Sequence, residues 1–417
     1  MRPVTEEAIL RARKRRADHA ANVSRDFEEP VVLLKLNIPG NDKNPPVARP
    51  VLKLAARLLF ELFDVSMEAR VPSVDGDYHV MVVDAPPRTL KKVAVYLEDT
   101  HRLGRLFDID VHAEGRKLSR VDLGHAPRKC LICGGDVLTC RRRGAHSQHV
   151  LLGAIHSTVH RFLLDALSEE AVLALRKELY MKPCFALVGP LGSGRHRDMN
   201  FTHFLTSIEA LRPYFRLYLD YGSDLCRHLD ALRKAGRKGE QTMLEATGGI
   251  NTHKGAHFIF GLALPVFMHS LLNGESMAMF KANLKDTAAW VLRDDFKHLK
   301  KKKGLSKGER LYAERGIAGI RGEAKSGFNS VFEWYPEDDG DDLKTLIRII
   351  GRLEDTTLYR ENADGKAIRK AFKACEANGF EDLDSLYDAH RHISPGGAAD
   401  MLALVYFLRA TDYLLNA

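Results

Sequence analysis

The chain has 417 residues, 45% of them hydrophobic and 28% charged, an ordinary globular composition that excludes wholesale disorder. At roughly 150 residues per domain, this length predicts two or three domains. Uninterrupted apolar runs stay well short of the roughly 20 residues a bilayer needs, and six cysteines in so long a chain make no disulfide scaffold, so a reducing, cytoplasmic setting with no membrane partner is expected.

Residues 5–20 read as a charged helix with a basic cluster at Arg11, Arg13, Lys14, Arg15 and Arg16. The cluster is not followed by the apolar core of a signal peptide. Val31-Val32-Leu33-Leu34-Lys35-Leu36 is a short apolar run closed by Pro39-Gly40, a buried strand and a turn. Leu52, Leu54, Leu58, Leu59 and Leu62 have helical spacing over residues 50–63. Val80 to Val83 and Phe107, Ile109, Val111 read as strands, with a helix at 88–98 between them. This alternation predicts an α/β or α+β domain over residues 1–150. From about residue 150 apolar residues recur every three or four, as in Leu152, Ile155, Val159, Phe162 and again in Met401, Leu404, Val405, Leu408. Residues 151–417 are therefore expected to be a larger all-helical domain with polar, Gly-rich loops.

The net charge is +8 and the pI near 9.0, which predicts an anionic partner. Nucleic acid, nucleotides and an acidic carrier protein all qualify. Much of the excess sits in the Arg11–Arg16 cluster and in Lys300 to Lys303, and each reads as a solvated helix end or loop.

Two motifs mark the first domain. In Gly104-Arg105-Leu106-Phe107-Asp108-Ile109-Asp110-Val111 the two aspartates lie two apart on a strand and point to one face. Adjacent carboxylates raise each other's proton affinity, and a hard divalent cation relieves them while holding phosphate oxygens. The plain alternative is a pair of solvent-facing acids on an edge strand. Downstream, Cys130, Cys133, Cys140, His146 and His149 have residue types that suit tetrahedral zinc. Their second half lacks the tight paired spacing of a finger or ribbon, so a loop of reduced cysteines is the favoured reading.

The helical region carries five polar motifs. Leu191 to Asn200 (LGSGRHRDMN) is a Gly-rich loop running into a helix, and it lacks the Gly-Lys-Ser/Thr ending of a Walker loop. Ala246 to Gly255 (ATGGINTHKG) sets two glycines beside Asn, Thr, His and Lys donors. Ile320-Arg321-Gly322-Glu323-Ala324, Glu354-Asp355-Thr356-Thr357 and Ile393 to Asp400 (ISPGGAAD) follow. Singly these are caps, turns or ion pairs. Together in one helical domain they predict a site.

These residues carry a resemblance. KPCFALVGPLGSGRHRDMNF, ATGGINTHKGAHF, IRGEAKSGF, LEDTTLYR and ISPGGAADMLALVYFL make residues ~155–417 similar to the triphosphoribosyl-dephospho-CoA synthase family, which serves citrate lyase. LNIPG, GRLFDIDV, RKCLICGGDVLTC and the Ala145-His146-Ser147 segment make residues ~1–150 resemble the citrate lyase holo-acyl-carrier-protein synthase family. The two families also occur fused in this order. The resemblance implies a nucleotidyltransferase-like first domain and two linked reactions. ATP and 3′-dephospho-CoA would give 2′-(5″-triphosphoribosyl)-3′-dephospho-CoA and adenine, through an oxocarbenium-like transition state. A serine of the apo acyl-carrier (γ) subunit of citrate lyase would then displace pyrophosphate.

The roles it implies are these. His253, Lys254 and Arg321 bind phosphates, and Asn251 positions a ribose or phosphate, with Gly248, Gly249, Gly396 and Gly397 in the nucleotide-binding set. Asp198, Glu323 and Asp355 are the base or metal ligands, Glu323 and Asp355 being the ones assigned to metal. Asp108 and Asp110 hold Mg²⁺, and Arg105 neutralises the departing pyrophosphate. The family pattern has Arg-Gly-Gly after its Asp-Thr motif, whereas this chain has Arg360-Glu361-Asn362. The rival readings are the equivalent enzymes of malonate decarboxylase and a basic nucleic-acid-binding protein. The second leaves TGGINTHKG and RGEA unexplained, so no nucleic-acid partner is expected.

Overall fold

A computed structural model describes residues 5–295, 297, 304–359 and 364–416; the Lys300–Lys303 run and Arg360–Asn362 lie outside the described residues. The chain divides into two compact units, Met1–Leu163 with Leu271–Gly274, and Leu164–Ser270 with Glu275–Ala417.

Unit 1 is built on one five-stranded sheet: β1 (Val31–Leu36), β2 (Val65–Val71), β3 (Tyr78–Val83), β4 (Phe107–Ala113) and β5 (Arg116–Leu118), in the order β2-β3-β1-β4-β5. Every pairing is antiparallel, so the unit is α+β rather than α/β. β1 is central and buried along its length except at Lys35, as a nearly continuous apolar run demands. Helix α1 (Glu6–Asp26) lays Ala20 and Val23 on a cluster of Val31, Leu33, Tyr78, Val80 and Val82. Helices α2 (Ala48–Leu62) and α3 (Pro87–Thr100) complete the unit with the short α4 (Val137–Arg143). β2, β5 and α4 escaped the sequence reading. β2 is an edge strand with exposed residues through its centre, so it lacks a buried face to alternate against. The basic cluster on α1 is not simply solvated: Arg13 donates to Asp75 at 2.9 Å and Arg16 pairs with the same carboxylate, which is wholly buried.

Unit 2 is helical. It contains the end of α5 (Gln148–Tyr180), then α6 (Phe201–Tyr221), α7 (Leu225–Ala246), α8 (Lys254–Asn273), α9 (Met277–Val291), α10 (Lys307–Arg315), α11 (Gly319–Ser326) and α12 (Asn329–Phe332). α13 (Asp342–Arg352), α14 (Gly365–Ala377), α15 (Leu383–His390) and α16 (Gly396–Thr411) complete it. α8 runs through the core. Phe260 meets Phe215 of α6 and Phe407 of α16 at ring separations of 5.4 and 5.9 Å, and Phe267 meets Phe280 of α9 at 5.5 Å.

α5 and α8 are both long and apolar enough to cross a membrane, which corrects the expectation drawn from uninterrupted runs alone. For α8 the cause is its place in the core: 72% of its apolar window is buried. α5 instead buries a stripe through Ile155, Val159, Leu163, Leu167, Ala171 and Leu175.

Candidate active sites

In unit 1 the antiparallel register sets Lys35 of β1 directly opposite Asp108 of β4, and Leu33 opposite Asp110. Residues two apart share a face, so Asp108 and Asp110 do project together. Neither is left to repel the other. Lys35 Nζ lies 3.4 Å and Arg128 3.3 Å from the Asp108 carboxylate, and Lys117 Nζ lies 2.6 Å from Asp110. Burial pushes the Asp108 carboxyl up, but Lys35, Arg128 and Lys117 outweigh it and hold it below its ordinary value. The raised proton affinity expected of Asp108 is therefore reversed. Arg128 also pairs with Glu98, which is 1% exposed and accepts from Ile109 N at 2.9 Å. Buried Lys91 donates to Ile109 O at 2.8 Å. Glu98 and Lys91 thus satisfy the edge of β4 beyond the reach of β5. Among the described residues Arg105 pairs with neither aspartate; its guanidinium donates to the Lys129 carbonyl. Sequence reasoning missed Lys35 and Arg128, the first because it sits in a run read only for its apolar residues.

In unit 2 a cavity of about 530 Å³ gathers four of the five motifs. Asn251, Lys254 and Gly255 come from the second, Ile320 and Arg321 from the third, Asp355 to Thr357 from the fourth, and Gly397 and Asp400 from the fifth. α7 adds Arg233, Arg237 and Glu240, and Asp295 lies beyond α9. The basic side is held by acids. Arg233 and Arg321 grip the two oxygens of Asp295 at 2.5 and 2.9 Å, and Lys254 pairs with Glu240.

The other side is acidic. Asp355 is 2% exposed, and its carboxylate accepts from Thr357 N at 2.8 Å, the Thr357 hydroxyl at 2.7 Å and Ala398 N at 3.0 Å. It therefore caps the N-terminus of α16, where orphan amides and the helix dipole favour an anion. Asp400, one turn into α16, sets its carboxylate against Gly255 in the first turn of α8, and the Ala256 amide there lowers its proton affinity. Gly255 and Gly397 permit these approaches, since a Cβ on either would strike the carboxylate it faces. Burial raises the proton affinity of both aspartates, and Glu178 and Asp355 push Asp400 well above the ordinary carboxylate value. Burial lifts Glu178 itself to about 8. Among the described residues, neither aspartate has a basic side chain paired with it.

Several expected residues lie elsewhere. His253 is 2% exposed, bonded through Nδ1 to the Ser207 hydroxyl at 2.8 Å, and absent from the cavity wall. Burial, with His257 nearby, lowers it to about 3, so near neutral pH it offers phosphate no positive charge. Asp198 is exposed on its loop. The helix that loop runs into is closed by its own capping box, Asn200 with His203, which occupies amides a phosphate would need. Glu323 accepts from Ser330 N at 2.6 Å and is pushed up by burial, and it is not among the wall residues. Gly248 and Gly249 adopt φ +66° and +88° after α7 with open space beside them, so they serve a turn rather than a close approach. Gly396 N donates to the Thr357 hydroxyl at 3.0 Å, one residue outside the wall. Asp400 and Glu178 were not singled out from the sequence. The signal was there: each is an acid within an otherwise apolar helix, where a charged side chain is uncommon.

Residues 4–162 match the family described as apo-citrate lyase phosphoribosyl-dephospho-CoA transferase, and residues 164–417 match ATP:dephospho-CoA triphosphoribosyl transferase. Protein CitXG of Leuconostoc mesenteroides subsp. cremoris is 30% identical over 450 aligned positions, 96% of each chain. Protein CitXG of Haemophilus influenzae is 29% identical over 97% of this chain and 96% of its own. A probable 2-(5''-triphosphoribosyl)-3'-dephosphocoenzyme-A synthase of Streptococcus pyogenes is 30% identical over 61% of this chain and 99% of its own.

Proposed function

This chain belongs to two transferase families in tandem, the apo-citrate lyase phosphoribosyl-dephospho-CoA transferases at residues 4–162 and the ATP:dephospho-CoA triphosphoribosyl transferases at residues 164–417, and from that premise we propose how its residues divide the work. It is a bifunctional transferase that makes and attaches the citrate lyase prosthetic group.

In unit 2, ATP and 3′-dephospho-CoA enter the cavity. Arg233, Arg237, Lys254 and Arg321 face the triphosphate, the first and last fixed by Asp295 and so oriented before substrate arrives. The 2′-hydroxyl of dephospho-CoA attacks C1 of the ATP ribose, and the C1–N bond to adenine breaks. Asp400 takes the hydroxyl proton. Of the two aspartates it has the higher proton affinity, and environments that push two acids apart separate their roles. Mg²⁺ fits Asp355, a buried carboxylate without a basic partner among the described residues, because a hard cation takes one or two carboxylates together with substrate phosphates. When bound it would supply charge to the triphosphate. Asn251 positions ribose or phosphate from the start of α8. The observation that carries this reading is the meeting of buried Asp355 and half-buried Asp400 with four basic residues in one cavity.

In unit 1 we read a nucleotidyltransferase-like site on β4. Mg²⁺ fits Asp108 and Asp110 poorly, since Lys35, Arg128 and Lys117 already balance them. Lys35 and Arg128, held by Asp108, would instead bind the triphosphate. The carrier serine attacks the α-phosphorus, the bond to the pyrophosphate oxygen breaks, and the cations neutralise the leaving charge. The positive surface suits an acidic acyl-carrier subunit.

Chromatography after incubation with ATP and dephospho-CoA tests the first step, with free adenine expected. Adding apo carrier subunits of citrate lyase and of malonate decarboxylase separately tests the second by intact mass, the citrate lyase subunit being the expected acceptor. No adenine under any condition would sink the unit 2 reading.

A further inference from the structure

The geometry points to a structural zinc site in unit 1, formed by Cys130, Cys133, Cys140 and His146. One ligand atom of each lies within 4.8 Å of those of the other three. A zinc–sulfur bond of about 2.3 Å puts two sulfurs of a tetrahedron about 3.8 Å apart. Cys133 Sγ and Cys140 Sγ are 3.4 Å apart, with all six cysteines of the chain as free thiols.

The local backbone is shaped for this. Cys130 N donates to Gly135 O at 2.6 Å and Gly134 N to Cys130 O at 3.1 Å, with Lys129 bridged to Asp136. Gly134 takes φ +68° to close the turn. The result is a tight knuckle around Cys130. Asp136 then caps α4 through Thr139 N at 2.7 Å, and α4 swings Cys140 back to Cys133. Ala145 N donates to Cys140 O at 3.0 Å, which turns the chain so that His146 joins the group. The Nε2 of His146 is buried with no hydrogen-bond partner. His149, in α5, is outside the group.

The segment also has almost no apolar core of its own. Between His112 and Ile155, Cys130 is the one buried residue among those described. Ordering a backbone costs conformational entropy that apolar burial normally offsets. Short stretches without a core are held by a disulfide or a metal. Three thiolates and one neutral imidazole select a borderline-soft, tetrahedral d¹⁰ ion. Their net charge with Zn²⁺ is −1, and Arg141, Arg142 and Arg143 follow on α4. Spacing alone argues against zinc, because Cys140 and His146 lack the paired spacing of a finger or ribbon. One short helix between the ligands supplies the return that spacing alone did not show. The site has a consequence for its neighbour: Arg128, two residues before Cys130, would be fixed beside Asp108 and Glu98.

The test is metal content of the full-length protein purified under reducing conditions, by elemental mass spectrometry. About one zinc per chain is expected, unchanged in Cys226→Ser and lost in the Cys133→Ser/Cys140→Ser double variant. Cobalt added to protein stripped of its metal should give tetrahedral d–d bands and sulfur-to-cobalt charge transfer, a readout that needs no variant. Zinc retained by the double variant, a wild-type chain that takes up neither metal, or a Cys133–Cys140 disulfide in anaerobically isolated protein would each overturn the assignment.

Discussion

Asp355 caps the helix that carries Asp400, and the Asp400 carboxylate packs on the first turn of α8 at Gly255. The two carboxylates are thereby locked into one cavity by the first turns of α16 and α8. Each is stabilised by backbone amides and penalised by burial, and no basic side chain relieves either among the described residues. A fold tolerates two such groups where a substrate, a proton or a cation completes them.

Replacing Asp400 with Asn should lower adenine release by at least about 100-fold, the scale of a lost general base. The melting temperature should hold or rise, because one member of a repelling pair is gone. Asp355→Asn should also lose adenine release, together with any stabilisation of the full chain by added Mg²⁺. Asp400→Asn should keep that stabilisation. Thermal melts with and without Mg²⁺ separate the two roles, and an active Asp400→Asn enzyme removes it as the base.

Gly255→Ala should act like a mutation of Asp400 that leaves the carboxyl chemically intact. The added methyl falls on the Asp400 carboxylate, which must move out of line. Adenine release is expected to fall by roughly 100-fold, the order seen for about 1 Å of misplacement, while far-ultraviolet circular dichroism stays that of the parent.

Stability should fall as pH rises from about 4.5 to about 8. Glu178 is lifted from 4.5 to about 8, so across that window the folded chain binds more protons than the unfolded one. Deprotonation then favours unfolding. Asp400 shifts in the same direction. Denaturant melts at several pH values should show this slope, and Glu178→Gln should flatten it.

His253→Ala tests the neutral imidazole. As a core residue bonded to Ser207 its loss should cost about 2–4 kcal/mol in a urea melt, from the cavity and the unpaired hydroxyl. KM for ATP should stay at the parent value. A large rise in KM would return His253 to the phosphate site.

Arg128→Met should stop modification of the carrier subunit while adenine release continues, because Arg128 pairs with Asp108 and Glu98 in unit 1 only. Asp108→Asn should do the same by releasing Lys35 and Arg128. Intact-mass analysis of the carrier beside adenine chromatography reads both steps in one reaction. Loss of both activities would refute two separate sites.

Much of the fold could be read along the chain where burial is one-sided or complete. β1, β3 and the apolar face of β4 were legible, as were α2 and α3, because period and composition agree there. β2 was not, since an exposed edge strand has no buried face to reveal it. Among site residues, Asn251, Lys254, Arg321, Asp355 and Gly397 reached the cavity. His253, Asp198 and Glu323 did not, although their motifs look equally polar.

The order of residues alone determined that the chain carries two transferase signatures and that Asp108 and Asp110 share a face, since a strand's period of two needs no partner to be expressed. Tertiary structure alone decided what each charge meets. Lys35 and Arg128 reach Asp108 from 73 and 20 residues away in the chain, and Asp400 meets the first turn of a helix that begins at Lys254. Proton affinity depends on distance and burial in space, and neither is a property of spacing along a chain.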